Sequence, residues 1–131
     1  MQIYSPQNIT YNETTLWLNF TFNETNVDTC WYFYNSTNTT LDNCSNTTFT
    51  AINNALSTLY LYINDSAGNE NSTWISFTVD TQAPLITMHS PQNQSMYNQD
   101  TLAFTWTVTD NLDPSITCNL SVDGNIVGSY I

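Results

Sequence analysis

The chain has 131 residues, eleven of them acidic, no lysine or arginine, and a formal net charge of −11. With no cation to meet phosphate, nucleic acid and anionic lipid surfaces are excluded as partners. Charged residues are only 8% of the chain, so contact with water depends mainly on its many Asn, Ser and Thr side chains.

Period-2 alternation dominates, and no 3.6-residue period appears. Gln2–Ser5 reads as a strand stopped by Pro6. Thr15–Phe22 alternates with Leu16, Leu18, Phe20 and Phe22 on one face and Trp17, Asn19 and Thr21 on the other. Thr29–Asn35 is the next strand, followed by a polar turn over Asn35–Thr40 and a short return through Leu41–Cys44. Thr47–Ile52 is β-branched and aromatic. Thr58–Asn64 puts Leu59, Leu61 and Ile63 on one face and Tyr60 and Tyr62 on the other. A hairpin turn over Asp65–Asn69, with Gly68 supplying the positive φ, leads into Ser72–Val79, whose Ile75, Phe77 and Val79 point inward. Seven short strands at this spacing predict an all-β fold, an immunoglobulin-like β-sandwich.

A second copy begins after Val79. Ser5-Pro6-Gln7-Asn8 recurs as Ser90-Pro91-Gln92-Asn93, Tyr11-Asn12 as Tyr97-Asn98, the strand from Thr15 to Phe20 as Thr101 to Trp106, and Cys30 as Cys118. Such a period denotes a modular array. The expected division is residues 1–82 for the first repeat and 83–131 for the N-terminal part of a second. That second repeat would hold its first three strands and the start of a fourth. Half a sandwich cannot bury a core, so its remaining strands are expected from further along a longer chain or from a neighbouring molecule.

Three motifs carry a resemblance. Val79-Asp80-Thr81-Gln82-Ala83-Pro84 looks like the joint between tandem Ig-like repeats of bacterial and archaeal cell-surface proteins. Asn64-Asp65-Ser66-Ala67-Gly68-Asn69 is similar to the turn before the last strand of those repeats. The stretch from Cys30-Trp31-Tyr32 to Asn43-Cys44 resembles a version common in archaeal surface proteins. The family includes stalks, surface layers and adhesins, so the resemblance implies an extracellular, cell-surface location and no catalytic residues. The absence of Lys and Arg departs from that family and leaves no site for trypsin.

Of 19 asparagines, twelve begin Asn-x-Ser/Thr sequons: Asn8, Asn12, Asn19, Asn23, Asn35, Asn38, Asn43, Asn46, Asn64, Asn71, Asn93 and Asn119. A Ser and Thr content of 34 would give about five by chance. The excess marks acceptors of covalent N-linked glycans; the competing reading is accident in an Asn- and Thr-rich chain. The pairs Asn35/Asn38 and Asn43/Asn46 would crowd each other if both members were occupied. No run is long and apolar enough for membrane insertion.

Cys30 and Cys44 flank a turn, which suits a disulfide between adjacent strands, worth about 3 kcal/mol for a loop of this size. A metal pair lacks further His or Cys ligands nearby. Cys118 is left over, its repeat partner falling just past Ile131. His89, the only histidine, has no nucleophile and orienting group to work with and reads as structural. Asp80, Asp110, Asn111 and Asp113 offer oxygen ligands that suit calcium, against the commoner use of such residues in turns. Otherwise no cofactor is expected.

If Cys30, Tyr32 and Tyr34 face the core, then Trp31 and Phe33 face out, and in sandwich order they share a sheet with Tyr60, Tyr62 and Trp74. Five aromatics on one exposed face form a candidate contact surface, with Asn19 on the opposite sheet. The sequence thus predicts a non-enzymatic structural repeat of a glycosylated filament, surface layer or stalk. It would self-associate into a homopolymer through aromatic faces and strand sharing. The alternative is an adhesin binding glycans or a partner protein.

Overall fold

The computed structural model describes Met1–Ile131. It contains twelve strands: β1 (Gln2–Ser5), β2 (Thr10–Tyr11), β3 (Thr15–Thr21), β4 (Val27–Tyr34), β5 (Thr37–Thr40), β6 (Thr47–Thr50), β7 (Ala55–Asp65), β8 (Glu70–Val79), β9 (Leu85–Ser90), β10 (Thr105–Thr109), β11 (Cys118–Val122) and β12 (Asn125–Tyr130). The chain is all-β apart from one 3₁₀ turn at Asp42–Cys44. It divides into two compact units, Met1–Thr81 and Gln82–Ile131.

In the first unit a three-stranded sheet, β1-β3-β6, faces a five-stranded sheet, β2-β8-β7-β4-β5. The alternation read from the sequence is what lets the sheets meet. Leu16, Leu18 and Phe20 of β3 and Phe49 of β6 bury against Cys30 and Tyr34 of β4, Leu59, Leu61 and Ile63 of β7, and Phe77 and Val79 of β8. At the centre, Tyr34, Phe49 and Phe77 form a three-ring cluster spanning both sheets, with centroids 5.2 to 6.0 Å apart. Tyr34 brings a hydroxyl into this core and satisfies it twice: Oη donates to Ser57 Oγ at 2.9 Å and accepts from the Ile52 N–H at 2.9 Å. Ser57 is the one buried polar side chain of the unit.

The Cys30–Cys44 disulfide forms, with Cα atoms 5.2 Å apart. The route between the two cysteines differs from expectation. Asn35 and Ser36 alone make the turn, both at positive φ (47° and 60°) as a two-residue type I′ hairpin requires. Thr37–Thr40 is therefore strand β5, not turn. All four of its residues are exposed, so this edge strand carries no alternation by which to recognise it. The expected return strand at Leu41–Cys44 is instead the 3₁₀ turn. Buried Leu41 donates its N–H to the Cys30 carbonyl at 2.9 Å, and positive φ at Asn43 and Cys44 folds Cys44 back towards Cys30. The two-residue β2, pairing parallel with β8, is too short to carry a pattern.

The second unit consists of two hairpins, β9-β10 and β11-β12. The strand expected over Thr101–Trp106 begins only at Thr105, because pairing with β9 starts at Ser90↔Thr105. The fourth strand is a full one, β12, reached through Asp123 and Gly124, both at positive φ. Trp106 meets Tyr130 edge-on at 5.1 Å, yet no residue of this unit is buried. Two details repeat between the units. Ser5 pairs with Asn19 as Ser90 pairs with Thr105. The Gln7 N–H donates to Tyr11 Oη at 2.7 Å, as the Gln92 N–H does to Tyr97 Oη at 3.3 Å.

Because Tyr34 is buried and its Oη is the partner of two groups, Tyr34→Phe should destabilise the first unit by about 1–3 kcal/mol while leaving the ring cluster in place. Urea denaturation would measure this, and an unchanged midpoint would show that the hydroxyl contributes nothing.

Candidate functional site

Side chains paired across antiparallel strands lie on the same face of a sheet. The register of the five-stranded sheet therefore lays its outer face out in rows. Phe33 lies opposite Asn38 of β5 and Tyr60 of β7, and Tyr60 opposite Trp74 of β8. In the next row Trp31 lies opposite Thr40 and Tyr62, and Tyr62 opposite Ser72. The five aromatics singled out from the sequence thus share one face, but only Phe33, Tyr60 and Trp74 are exposed; Trp31 and Tyr62 are half-buried.

Trp31 and Tyr62 stack with centroids 5.3 Å apart and ring planes 3° from parallel, each covering part of the other. Phe33 and Tyr60 meet at 6.4 Å with rings tilted by 53°. Trp74 has no ring partner of this kind and is 62% exposed. The two rows carry no charged residue, and beside them Thr58 and Ser76 join hydroxyls at 2.7 Å. Leu56, 72% exposed and opposite Thr78, extends the apolar area. Sequence reasoning missed it because β7 begins at Ala55, three residues before the alternation becomes clear. On the other sheet Trp17 and Tyr4 are also exposed, at 57% and 52%. Trp17 is on the outer face of β3 with Asn19, as its alternation indicates.

The sequon asparagines are at the surface: ten are exposed, and Asn19 and Asn64 are half-buried. A glycan attaches through Nδ2, so the hydrogen bonds of that atom matter. Side-chain amides that donate through Nδ2 include those of Asn53 (to Thr81 Oγ1, 2.6 Å), Asn69 (to Asp65 Oδ2, 2.8 Å) and Asn125 (to the Asp123 carbonyl, 3.4 Å), and none of these begins a sequon. Where sequon asparagines make side-chain hydrogen bonds they use Oδ1. Asn46 accepts from the Phe20 N–H, Asn64 from the Thr29 N–H, Asn71 from the Ser72 N–H and Asn119 from Ser129 Oγ. Bonding a sugar to Nδ2 would break none of these contacts.

Cys118 is a free, half-buried thiol. His89 Nε2 lies 3.2 Å from Thr107 Oγ1 across the exposed β9-β10 hairpin. Asp80 directly follows β8, its N–H donating to the Tyr11 carbonyl at 2.8 Å. Asp110 Oδ1 accepts the N–H groups of Leu112 and Asp113 at 3.0 and 2.9 Å, a turn-forming use that holds its carboxyl below the usual range. Within neither unit do three acidic, histidine or cysteine side chains converge. Compared with protein-family models, with curated proteins and with solved structures, the chain matches none.

Asp65 organises the β7-β8 turn. Its carboxylate accepts from the Asn69 side chain and from the N–H groups of Asn69 and Ala67 at 2.8 to 2.9 Å. These bonds, the Asn69 side chain foremost, lower its pKa. A carboxyl depressed by folding contributes order that is present above its unfolded pKa and lost as pH falls through the folded value. The turn should therefore stay protected on acidification down through the ordinary aspartate range and open only below it. Amide exchange at Ala67 and Asn69, followed with the carboxyl titration by NMR, would test this. Titration of Asp65 at the value of an unstructured peptide would refute it.

Proposed function

We propose that this chain is a structural repeat of an N-glycosylated extracellular assembly, a filament, surface layer or stalk, built from tandem immunoglobulin-like β-sandwiches. Copies associate through the aromatic face of the first unit. The observation that carries this reading is the pair of uncharged aromatic rows crossing β4, β7 and β8 on a molecule of net charge −11. Two copies of so acidic a chain repel over most of their surfaces. They approach at least cost where carboxylates are absent and rings are exposed, and exposed aromatic area of this kind is characteristic of contact surfaces.

Other features support parts of the reading. The repeated Ser pairing and Gln–Tyr hydrogen bond favour a tandem repeat. Unused Nδ2 groups on the sequon asparagines favour glycosylation. A disulfide belongs to an oxidising compartment. Leu85, Ile86, Ile126 and Val127, all more than half exposed on short hairpins, favour strand sharing with a neighbour, in which backbone pairing supplies affinity.

A second reading, an adhesin, draws on the hydroxyl and amide groups of Asn38, Thr40, Thr58, Ser72 and Ser76 beside the rings, the setting in which a sugar can both stack and hydrogen-bond.

Replacing Trp31 and Trp74 with Ser should abolish association of the native glycoprotein through the aromatic face, each change raising the dissociation constant of that contact by about 30-fold, the equivalent of ~2 kcal/mol. The disulfide and circular dichroism should be unchanged. Sedimentation and electron microscopy give the readout. Assembly undiminished in the double variant would rule out the aromatic contact, and a glycan-array signal from the isolated protein that the same variant loses would establish the adhesin instead.

A further inference from the structure

We infer that Asn38 is an occupied glycosylation site whose first sugar packs on Phe33, making that saccharide a fixed part of the aromatic face. The assignment rests on the glycoprotein reading and selects one sequon, and one seat for its glycan, from the twelve.

Geometry singles out Asn38. It lies directly opposite Phe33, on the same face. Side chains so paired have Cβ atoms about 5 Å apart, within reach of a group attached to Nδ2. Thr40, the hydroxyl residue of the sequon, is on that face too, opposite Trp31. Phe33 is 37% exposed and has Tyr60 on its other flank, so its open side is towards β5. The Asn38 side chain is exposed and makes no hydrogen bond, leaving it able to turn over the ring. Beyond β5 the sheet has no further strand, which leaves room for the rest of the glycan.

The hairpin also fixes the distance. Two residues at positive φ close it, and the register runs without a shift from Tyr34↔Thr37 to Trp31↔Thr40. Asn19 and Asn64, on strands that also carry exposed rings, are placed less well. Asn19 is half-buried and two residues along its own strand from Trp17, and Asn64 is held through Oδ1 by the Thr29 N–H.

The chemistry is transfer from a glycosyl phosphate donor. Asn38 Nδ2 forms a bond to the sugar C1, the C1–O bond to the donor phosphate breaks, and the phosphate departs with that electron pair. One Nδ2 proton is released to the transferase. The pyranose then presents a C–H face to the π cloud of Phe33, much as an apolar group packs on an aromatic ring.

The test uses the full glycosylated chain in the Trp74→Ser background, where association through the aromatic face is weakened. Peptides cut at Asp and Glu, since trypsin has no site, should carry a saccharide on Asn38. Asn38→Gln should lower the Tm of the first unit by about 4 °C, and by nothing measurable once Phe33→Ser is also present. Independently, protons of the first sugar should be shifted upfield by the Phe33 ring in the NMR spectrum, which decides the matter if Phe33→Ser fails to fold. An unmodified Asn38, or an equal loss of Tm with and without Phe33, or sugar protons at free-glycan positions, would overturn the assignment. None of these readouts depends on whether copies assemble, so failure of the assembly reading would leave them unchanged.

Discussion

The inward phase of β4 is the constraint on which the candidate surface depends. Cys30 is held by its disulfide and Tyr34 by two hydrogen bonds and two ring contacts, and both point into the core. Because side chains alternate strictly along a strand, fixing these two commits Trp31 and Phe33 to the opposite face; a one-residue slip would exchange the two sets. The register then extends outward from β4. Tyr62 and Tyr60 must lie beside Trp31 and Phe33, and Trp74 beside Tyr60. The exposed rings are the geometric complement of a well-anchored core, so the surface inherits its rigidity.

A chain with eleven carboxylates and no Lys or Arg must find other partners for its negative charge. Asp65 and Asp110 show the solution: each carboxylate collects backbone N–H groups of its own turn. The Asn69 side-chain amide at Asp65, and peptide N–H groups at both, take the place of a cation, and the pKa of each carboxyl is lowered accordingly. The remaining polarity is neutral amide and hydroxyl, which water or saccharide can satisfy equally well. This division leaves whole rows of the five-stranded sheet without charge.

The all-β class, the core faces of β3, β7 and β8, the disulfide and the outward aromatics were legible in the sequence, because each rests on strict alternation or on a turn with distinctive chemistry. The failures fall where those signals are silent. Edge strand β5 has no buried face, so Thr37–Thr40 looks like turn. The 3₁₀ turn at Asp42–Cys44 depends on positive φ at Asn43 and Cys44, and nothing in Cys44 announces such a backbone. Leu56 stands on the outer face while Ser57, a polar residue, takes the core position as partner of Tyr34, an inversion that only the three-dimensional pairing explains. β12 is the exception: Asp123-Gly124 carries a recognised hairpin signal, yet only the start of a fourth strand is expected where a full one follows.

A surface that meets its own copy forms an isologous contact, related by a two-fold axis and complete once two molecules have joined. The aromatic rows of the first unit occupy only one of its two sheets, so they could close a pair but would not propagate it. Growth in a line or a plane would need a second, chemically distinct joint. The unburied hairpins of the second unit, with backbone edges and aliphatic side chains in place of rings, would suit that role under the proposed reading. Two unlike joints on one chain would let pairing and extension respond to different conditions.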